Sequence, residues 1–472
     1  MPKKAQKPNR EVSDVSIAAE VKRRLLEDAL ADHNVDVAVK NGVVTLTGST
    51  ANLRGKRRAK RIAESIKGVL SVVNTLKVKP HIRSDEDLKK DVEEALAQDH
   101  AVRTYEITVD TKGGIVTLRG TVDSFMAKTL VERVASRVRG VAEIQNTLTI
   151  KYSEDRFDKR IAGDIESRLS WDMRVDAELV DVEVSNGKVT LKGLVGSAAE
   201  KELAYAKAWV AGVRSVDTDE LKVSWTARDR LRRLRKVATK PEKIRAAILK
   251  AFSFDPRVHD FDIGVQVEDG GTVKLQGKVT NLLAKRAARR NAENTLGVVS
   301  VSNRIKIEPN RERSEAQLAL AASKALQRDS NLARYRITAS AVNGEIHLEG
   351  VVPTAFDKRL AERVVAGVEG VRAVSNNLLV NGKTKIKQDW KILASLEAAL
   401  FWNPTLDSYQ IQPKVEGGVV TLTGQVDNWR ERVAAEFEAR KAGAWRVRNK
   451  LRIHPLRLDE KPQEPTAAPK KE

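Results

Sequence analysis

The stretch "VDVAVKNGVVTLTG" at residues 35–48, followed by "NLRGKRRAKRIAESIKGV" at 52–69, decides the fold. Val35, Val37 and Val39, then Val44 and Leu46, recur with period two, the repeat of a strand with one buried face. Between the two runs sits Asn41-Gly42, a dipeptide that accepts positive φ at both central positions of a type I′ hairpin. In the second stretch Leu53, Ala59, Ile62, Ala63 and Ile66 fall on one side of a helix, and Gly68 is read as its C-cap. Working outward, Ile17, Val21 and Leu25 recur every four residues on a preceding helix expected to end near His33, and "VLSVVNTLKV" (69–78) supplies a last strand. The order is α-β-β-α-β. A right-handed crossover through the second helix puts both helices on one face of a small mixed three-stranded sheet, an α+β unit.

That unit recurs six times. The strand-ending glycines are Gly48, Gly120, Gly193, Gly277, Gly350 and Gly424, spaced by 72, 73, 84, 73 and 74 residues. A second glycine (Gly68, Gly140, Gly212, Gly297, Gly370, Gly443) follows 19 or 20 residues later in each copy. Six residues beyond it stands Asn74, Asn146, Asn303, Asn376 or Asn449, with Thr218 in the third copy. The expected organisation is units at 13–80, 84–152, 156–225, 240–309, 314–382 and 386–455, a basic connecting helix at 226–239, and disordered Pro- and Lys-rich tails at 1–12 and 457–472. Units of about 70 residues bury only roughly 60% of their unfolded surface, so packing of unit on unit is expected.

The copies sort into two blocks of three. "NLRGKRRAKRIAE" of copy one matches "NLLAKRAARRNAE" of copy four at an offset of 229, Tyr105 matches Tyr335 at 230, and Trp171 matches Trp402 at 231. All seven Trp lie in or beside copies three and six, and Trp171 and Trp402, each near the end of a first helix, are candidate anchors between units or subunits.

The chain of helix, hairpin closing on "VxLxG", helix, "GVxxVxN" and final strand resembles the BON domain of bacterial envelope and stress proteins, in six copies over about residues 13–455. The resemblance implies the αββαβ fold, association with phospholipid or envelope surfaces and, in one cytoplasmic member, potassium binding. The twelve motif glycines are read as structural.

Lys plus Arg number 85 against 64 Asp plus Glu, a net charge of +21. Every apolar run is cut by charge before reaching the 18 residues of a spanning helix, and the N-terminal residues carry no apolar export core, so a cytoplasmic protein, at most peripheral to the inner membrane, is expected. The chain has no Cys, and its six His are scattered without ligand spacing. "KGGI" and "DGGT" are hairpin turns rather than phosphate loops. No catalysis, cofactor or metal is expected.

Lys56, Arg57, Lys60 and Arg61 project from one side of the second helix of copy one, and Lys285, Arg286, Arg289 and Arg290 repeat the arrangement in copy four. Arg232, Arg233 and Arg235 belong to the connecting segment "RDRLRRLRK" (228–236), whose Leu231 and Leu234 suit an amphipathic helix. These three regions are the candidate surface for an anionic partner, phospholipid in preference to nucleic acid, because no aromatic residues interleave the basic ones for base stacking. A potassium sensor and a purely structural assembly are the other readings. Unpaired sheet edges lead us to expect a homo-oligomer.

Overall fold

In the computed structural model, which describes residues 12–28, 34–80, 83–152, 156–226, 240–381 and 387–453, all six repeats fold as helix, hairpin, helix and return strand. The first strand of each hairpin pairs antiparallel with the second, which is central, and the return strand lies parallel on its other side. In unit 1 the register sets Val35 opposite Gly48, and Val43 to Leu46 opposite Ser71 to Asn74. The return strand is interrupted after Asn74 and resumes without a change of register, Ser49 facing Lys77. The expected three-stranded sheet thus has four segments in three strand positions.

The recurring asparagine explains the interruption. Asn74 Nδ2 donates to the Lys56 carbonyl of the second helix at 2.9 Å, while its Oδ1 accepts from the Leu76 amide at 3.3 Å. Asn146, Asn303, Asn376 and Asn449 repeat both bonds in their own units. The side chain therefore pins helix to sheet and takes up an amide that the broken ladder would leave unpaired.

The six strand-ending glycines are required by sterics. Their φ values run from +102° to +135°. A Cβ at any of them would stand 2.0–2.5 Å from the carbonyl oxygen of the residue that precedes the partner strand, Asn34 in the case of Gly48. Four residues after each comes the N-cap of the second helix: Asn52, Ser124, Ser197, Asn281, Thr354 and Asn428 all accept the amide three residues on at 2.8–3.2 Å.

Two boundary expectations are corrected. The first helix of unit 1 closes at Glu27 with Asp28 as C-cap, well before His33. The second helix ends at Glu64 with Ser65 as C-cap, so Gly68 (φ +88°) serves the turn beyond, where a Cβ would meet Val12 and Ile17. Among the six second glycines, Gly443 is the one that caps its helix. The connecting segment with Arg232, Arg233 and Arg235 lies outside the described residues, as do 1–11 and 454–472.

The units pack by lending side chains to each other's cores. Leu53 of unit 1 packs in the core of unit 2, Trp171 of unit 3 against that of unit 4, and Trp402 of unit 6 in that of unit 1. One seam occurs twice: Leu296 N donates to the Trp171 carbonyl at 2.9 Å, and Lys67 N, the residue equivalent to Leu296, donates to the Trp402 carbonyl at 3.1 Å. The second instance joins the last unit to the first. Units 2 and 5 meet through a short antiparallel bridge, Val138 opposite Asp329, in which Arg139 N donates to the Arg328 carbonyl and Ser330 N to that of Arg137.

Replacing Gly193 by Ala, with a Cβ 2.1 Å from the Leu179 carbonyl oxygen at φ +102°, is expected to cost about 2–3 kcal/mol in denaturant unfolding. Ala at Gly113, whose virtual Cβ meets nothing within 4 Å, should cost less.

Candidate functional site

A carboxylate that the sequence reading passed over organises the centre of the assembly. The residue at or just beyond the end of each first helix is Asp28, Asp99, Asp172, Asp255, Asp329 or Asn403, standing 20–22 residues before the strand-ending glycine. Asp28, Asp172, Asp255 and Asp329 are only 4–8% exposed. Buried carboxylates need partners. Arg58 serves Asp28, Arg174 and Lys207 serve Asp172, Arg257 and Asn291 serve Asp255, and Arg54 reaches from unit 1 to Asp329 of unit 5 at 2.9 Å. An acidic residue 20–22 positions before the strand-ending glycine in five of the six units was the available signal.

Two of the four cations of the candidate cluster in unit 1, Arg57 and Lys60, are turned toward neighbouring units. Arg57 pairs with Glu132 and Ser136 of unit 2, and Lys60 bridges Glu202 of unit 3 at 3.0 Å and its own Glu64 at 3.2 Å. Unit 4 repeats part of this: Arg286 pairs with Glu362 of unit 5, the duplicate of the Arg57 to Glu132 contact, and Arg289 with Glu293 at 2.7 Å. Among the described residues Lys56, Lys285, Arg61 and Arg290 have no ion pair. Burial, with Arg58, Arg363 and Arg54 nearby, holds Arg61 below the ordinary arginine range. Burial, then Arg257 and Arg363, push Arg290 down to about 10. Both stay ionised at neutral pH.

Trp402 is 7% exposed, stacks edge-on with Phe401, and sits in unit 1; Trp171 is half-buried in the seam between units 3 and 4. Two other tryptophans are open to solvent. Trp390 (64% exposed) stands in the first turn of the first helix of unit 6 (Asp389–Trp402), and Trp445 (68% exposed) immediately precedes its return strand. Asp389 ties the two places together, accepting the amides of Gly417 and Gly418 at 2.7 Å, while Trp445 Nε1 donates to the Gly417 carbonyl at 2.8 Å. Lys391 lies over the Trp390 ring at 5.2 Å. From Trp445 the edge of the sheet runs "RVRNKLRI" (446–453), with Arg446, Arg448, Lys450 and Arg452 at alternate positions and all exposed. The corresponding strands, "SVVNTLKV" in unit 1 and "EIQNTLTI" in unit 2, carry one cation and none. Period-two cations following a Trp are the sequence signal that marks this edge.

Among the described residues no group of three or more His, Asp or Glu is placed to hold a metal ion, and no helix is long and apolar enough to cross a membrane.

A family model described as the BON domain matches the chain six times, at residues 13–80, 84–152, 157–224, 241–309, 314–382 and 388–455. Osmotically-inducible protein Y of Escherichia coli (strain K12) is 29% identical over 148 residues, 30% of this chain and 74% of that protein. Outer membrane lipoprotein DolP of Haemophilus influenzae is 28% identical over 127 residues, 26% of this chain and 66% of that protein. A solved C-terminal domain of CdsD, a structural protein of the type III secretion system of Chlamydia trachomatis, aligns over 48% of this chain and 100% of its own at 20% identity, with a TM-score of 0.13.

Acid should loosen the seam between units 3 and 4. Burial alone would raise the Asp172 pKa, but Arg174 and Lys207 outweigh it and hold the carboxyl well below its ordinary 3.8. A depressed carboxyl stabilises the fold fully above the unfolded pKa, and the contribution is lost as pH falls through 3.8 toward the folded value. Denaturant midpoints should therefore drop between about pH 5 and pH 2. Asp172→Asn should be less stable at pH 7 and show a shallower drop.

Proposed function

Because the chain belongs to the BON domain family, we propose that it is a non-catalytic scaffold of the stress and envelope type that attaches reversibly to anionic phospholipid. The observation that carries this reading is the edge of unit 6: two solvent-exposed tryptophans, Trp390 and Trp445, beside a row of four exposed cations from Arg446 to Arg452. Exposed Trp suits the boundary between headgroups and acyl chains, where its ring is apolar at one end and wet at the other. Each cation near an anionic surface contributes about 1 kcal/mol, and six residues of strand span about 20 Å. Such binding weakens as salt rises. The relatives, one an outer membrane lipoprotein and one osmotically inducible, support a role of this kind.

The reading prefers attachment through unit 6 over the second helices of units 1 and 4, where Arg57, Lys60, Arg286 and Arg289 already have carboxylate partners. Lys56 and Lys285 keep that second surface in play, as does the connecting segment. Self-association belongs to the same reading, since the first strand of each hairpin is an edge of its sheet; light scattering that gives a mass near 52 kDa at all concentrations would remove it. On this reading the protein is cytoplasmic, at most peripheral to the inner membrane, which cell fractionation tests.

Co-sedimentation with liposomes decides the surface. The protein should bind vesicles containing phosphatidylglycerol and not neutral ones, and Trp390→Ala with Trp445→Ala, or Arg446→Glu with Arg448→Glu, should abolish binding while leaving the melting temperature within a few degrees. Loss of binding in Lys56→Glu, Arg57→Glu, Lys285→Glu, Arg286→Glu instead would move the site to the helices. Preference for RNA over anionic vesicles at equal salt would reject the lipid reading, and a melting temperature that responds to potassium but not sodium would favour the sensor.

A further inference from the structure

Units 3 and 4 pack on each other reciprocally. Trp171, the C-cap of the first helix of unit 3, packs against the core of unit 4, and Phe254, the C-cap of the first helix of unit 4, packs against the core of unit 3. In units 2 and 5 the matching residues, each just before the seam carboxylate, are Gln98 and Arg328. Between units 3 and 4 lies a cavity of about 270 Å³ whose wall includes both rings, with Met126, Leu203, Ala247 and Ala251 beside them. The same wall is unbalanced in charge. Six cations, Arg168, Arg174, Lys207, Lys250, Arg257 and Arg290, stand against two carboxylates, Asp172 and Asp255.

Both carboxylates are already engaged, Asp172 by Arg174 and Lys207 and Asp255 by Arg257 and Asn291. Lys250 pairs with Asp164 at 2.8 Å, which also receives Arg156 at 2.6 Å. Two guanidiniums are left over. Arg168 is only 8% exposed and has no carboxylate partner. Its Nη1 donates to the Lys207 and Trp209 carbonyls at 3.0 and 2.9 Å, where the second helix of unit 3 ends, and its guanidinium carbon lies 4.2 Å from the Phe254 ring centroid. Its Nε is buried with no hydrogen-bond partner, and its Nη2 has none among the described residues. Arg290 is exposed, which sets it at the cavity mouth, and its guanidinium has no hydrogen bond or ion pair among the described residues. A buried guanidinium stays charged at neutral pH and is costly without a counter-charge.

We infer that this cavity binds a small organic anion, an aromatic ring system carrying one carboxylate or phosphate group. The ring lies against Trp171 and Phe254, and the acid group takes the donors that Arg168 and Arg290 leave unused. Guanidinium N–H groups match the oxygens of either acid, and aromatic side chains prefer a ring as neighbour to a plain aliphatic group. The volume falls just below the roughly 300–1,000 Å³ of sites for drug-sized ligands, so the occupant is a small molecule and not a membrane surface. The inference therefore stands apart from the edge of unit 6.

The test uses the full chain, calorimetric titration and thermal melting at constant ionic strength. The probes are naphthoate and naphthyl phosphate, with naphthol as the ring without the charge and acetate and orthophosphate as the charge without the ring. At least one of the two aromatic anions should bind once per chain and raise the melting temperature, and the tighter of them identifies the acid group. Naphthol, acetate and orthophosphate should bind at least roughly tenfold more weakly. Arg290→Gln alters an exposed side chain without partners, so it should leave the ligand-free melting temperature within a few degrees while weakening the aromatic anion by roughly tenfold. Ala206→Leu, which narrows the cavity from its wall, should weaken naphthol and the anions alike. Trp390→Ala with Trp445→Ala should retain full affinity, whatever its effect on vesicles. The inference is overturned if neither aromatic anion binds at millimolar concentration, if naphthol binds as tightly as they do, or if Arg290→Gln and Ala206→Leu both leave the affinity unchanged.

Discussion

Units of about 70 residues bury too little of their own apolar surface to stand alone, and the way these six share burial governs the rest of the molecule. Leu53 completes unit 2, Trp402 completes unit 1, and Phe254 of unit 4 packs against unit 3. Cores joined in this way bring the second helices face to face. Across those seams Arg57 meets Glu132, Lys60 meets Glu202 and Arg286 meets Glu362, so they become lines of ion pairs instead of more apolar packing. The inward placement of Arg57 and Lys60, and the exposure left to unit 6, both follow from that geometry.

The repeat was legible because its landmarks are steric. A residue at φ above +100° with a carbonyl 2.0–2.5 Å from any Cβ can be nothing but glycine, and it recurs in all six units with its spacing intact. Hairpin chemistry was equally readable: Asn41, Asn186 and Asn343 adopt φ of 50–51° ahead of their glycines. Helix ends were less so. Gly68 and four of its equivalents follow the last helical turn by a few residues while Gly443 caps its helix, and sequence alone does not separate a C-cap from the turn after it, since both favour a residue at positive φ.

The candidate site was harder to read, for a physical reason. A helix with Lys56, Arg57, Lys60 and Arg61 on one side looks the same whether that side meets water or a neighbour's Glu132 and Glu202. Only the arrangement of units decides, and no local pattern encodes it. By contrast the carboxylates at the first-helix ends recur at nearly constant spacing along the chain. They become visible once the repeat is used as a ruler.

Closure of the assembly by Trp402 also has a temporal side. Unit 1 leaves the ribosome first, yet the indole that fills its core and the carbonyl that receives Lys67 N belong to the last unit. At synthesis rates of about 5–20 residues per second, unit 1 waits on the order of half a minute for its final partner. During that interval the core that Trp402 joins is incomplete beside Lys67, so the nascent chain presents an apolar notch to whatever holds it until the last unit docks.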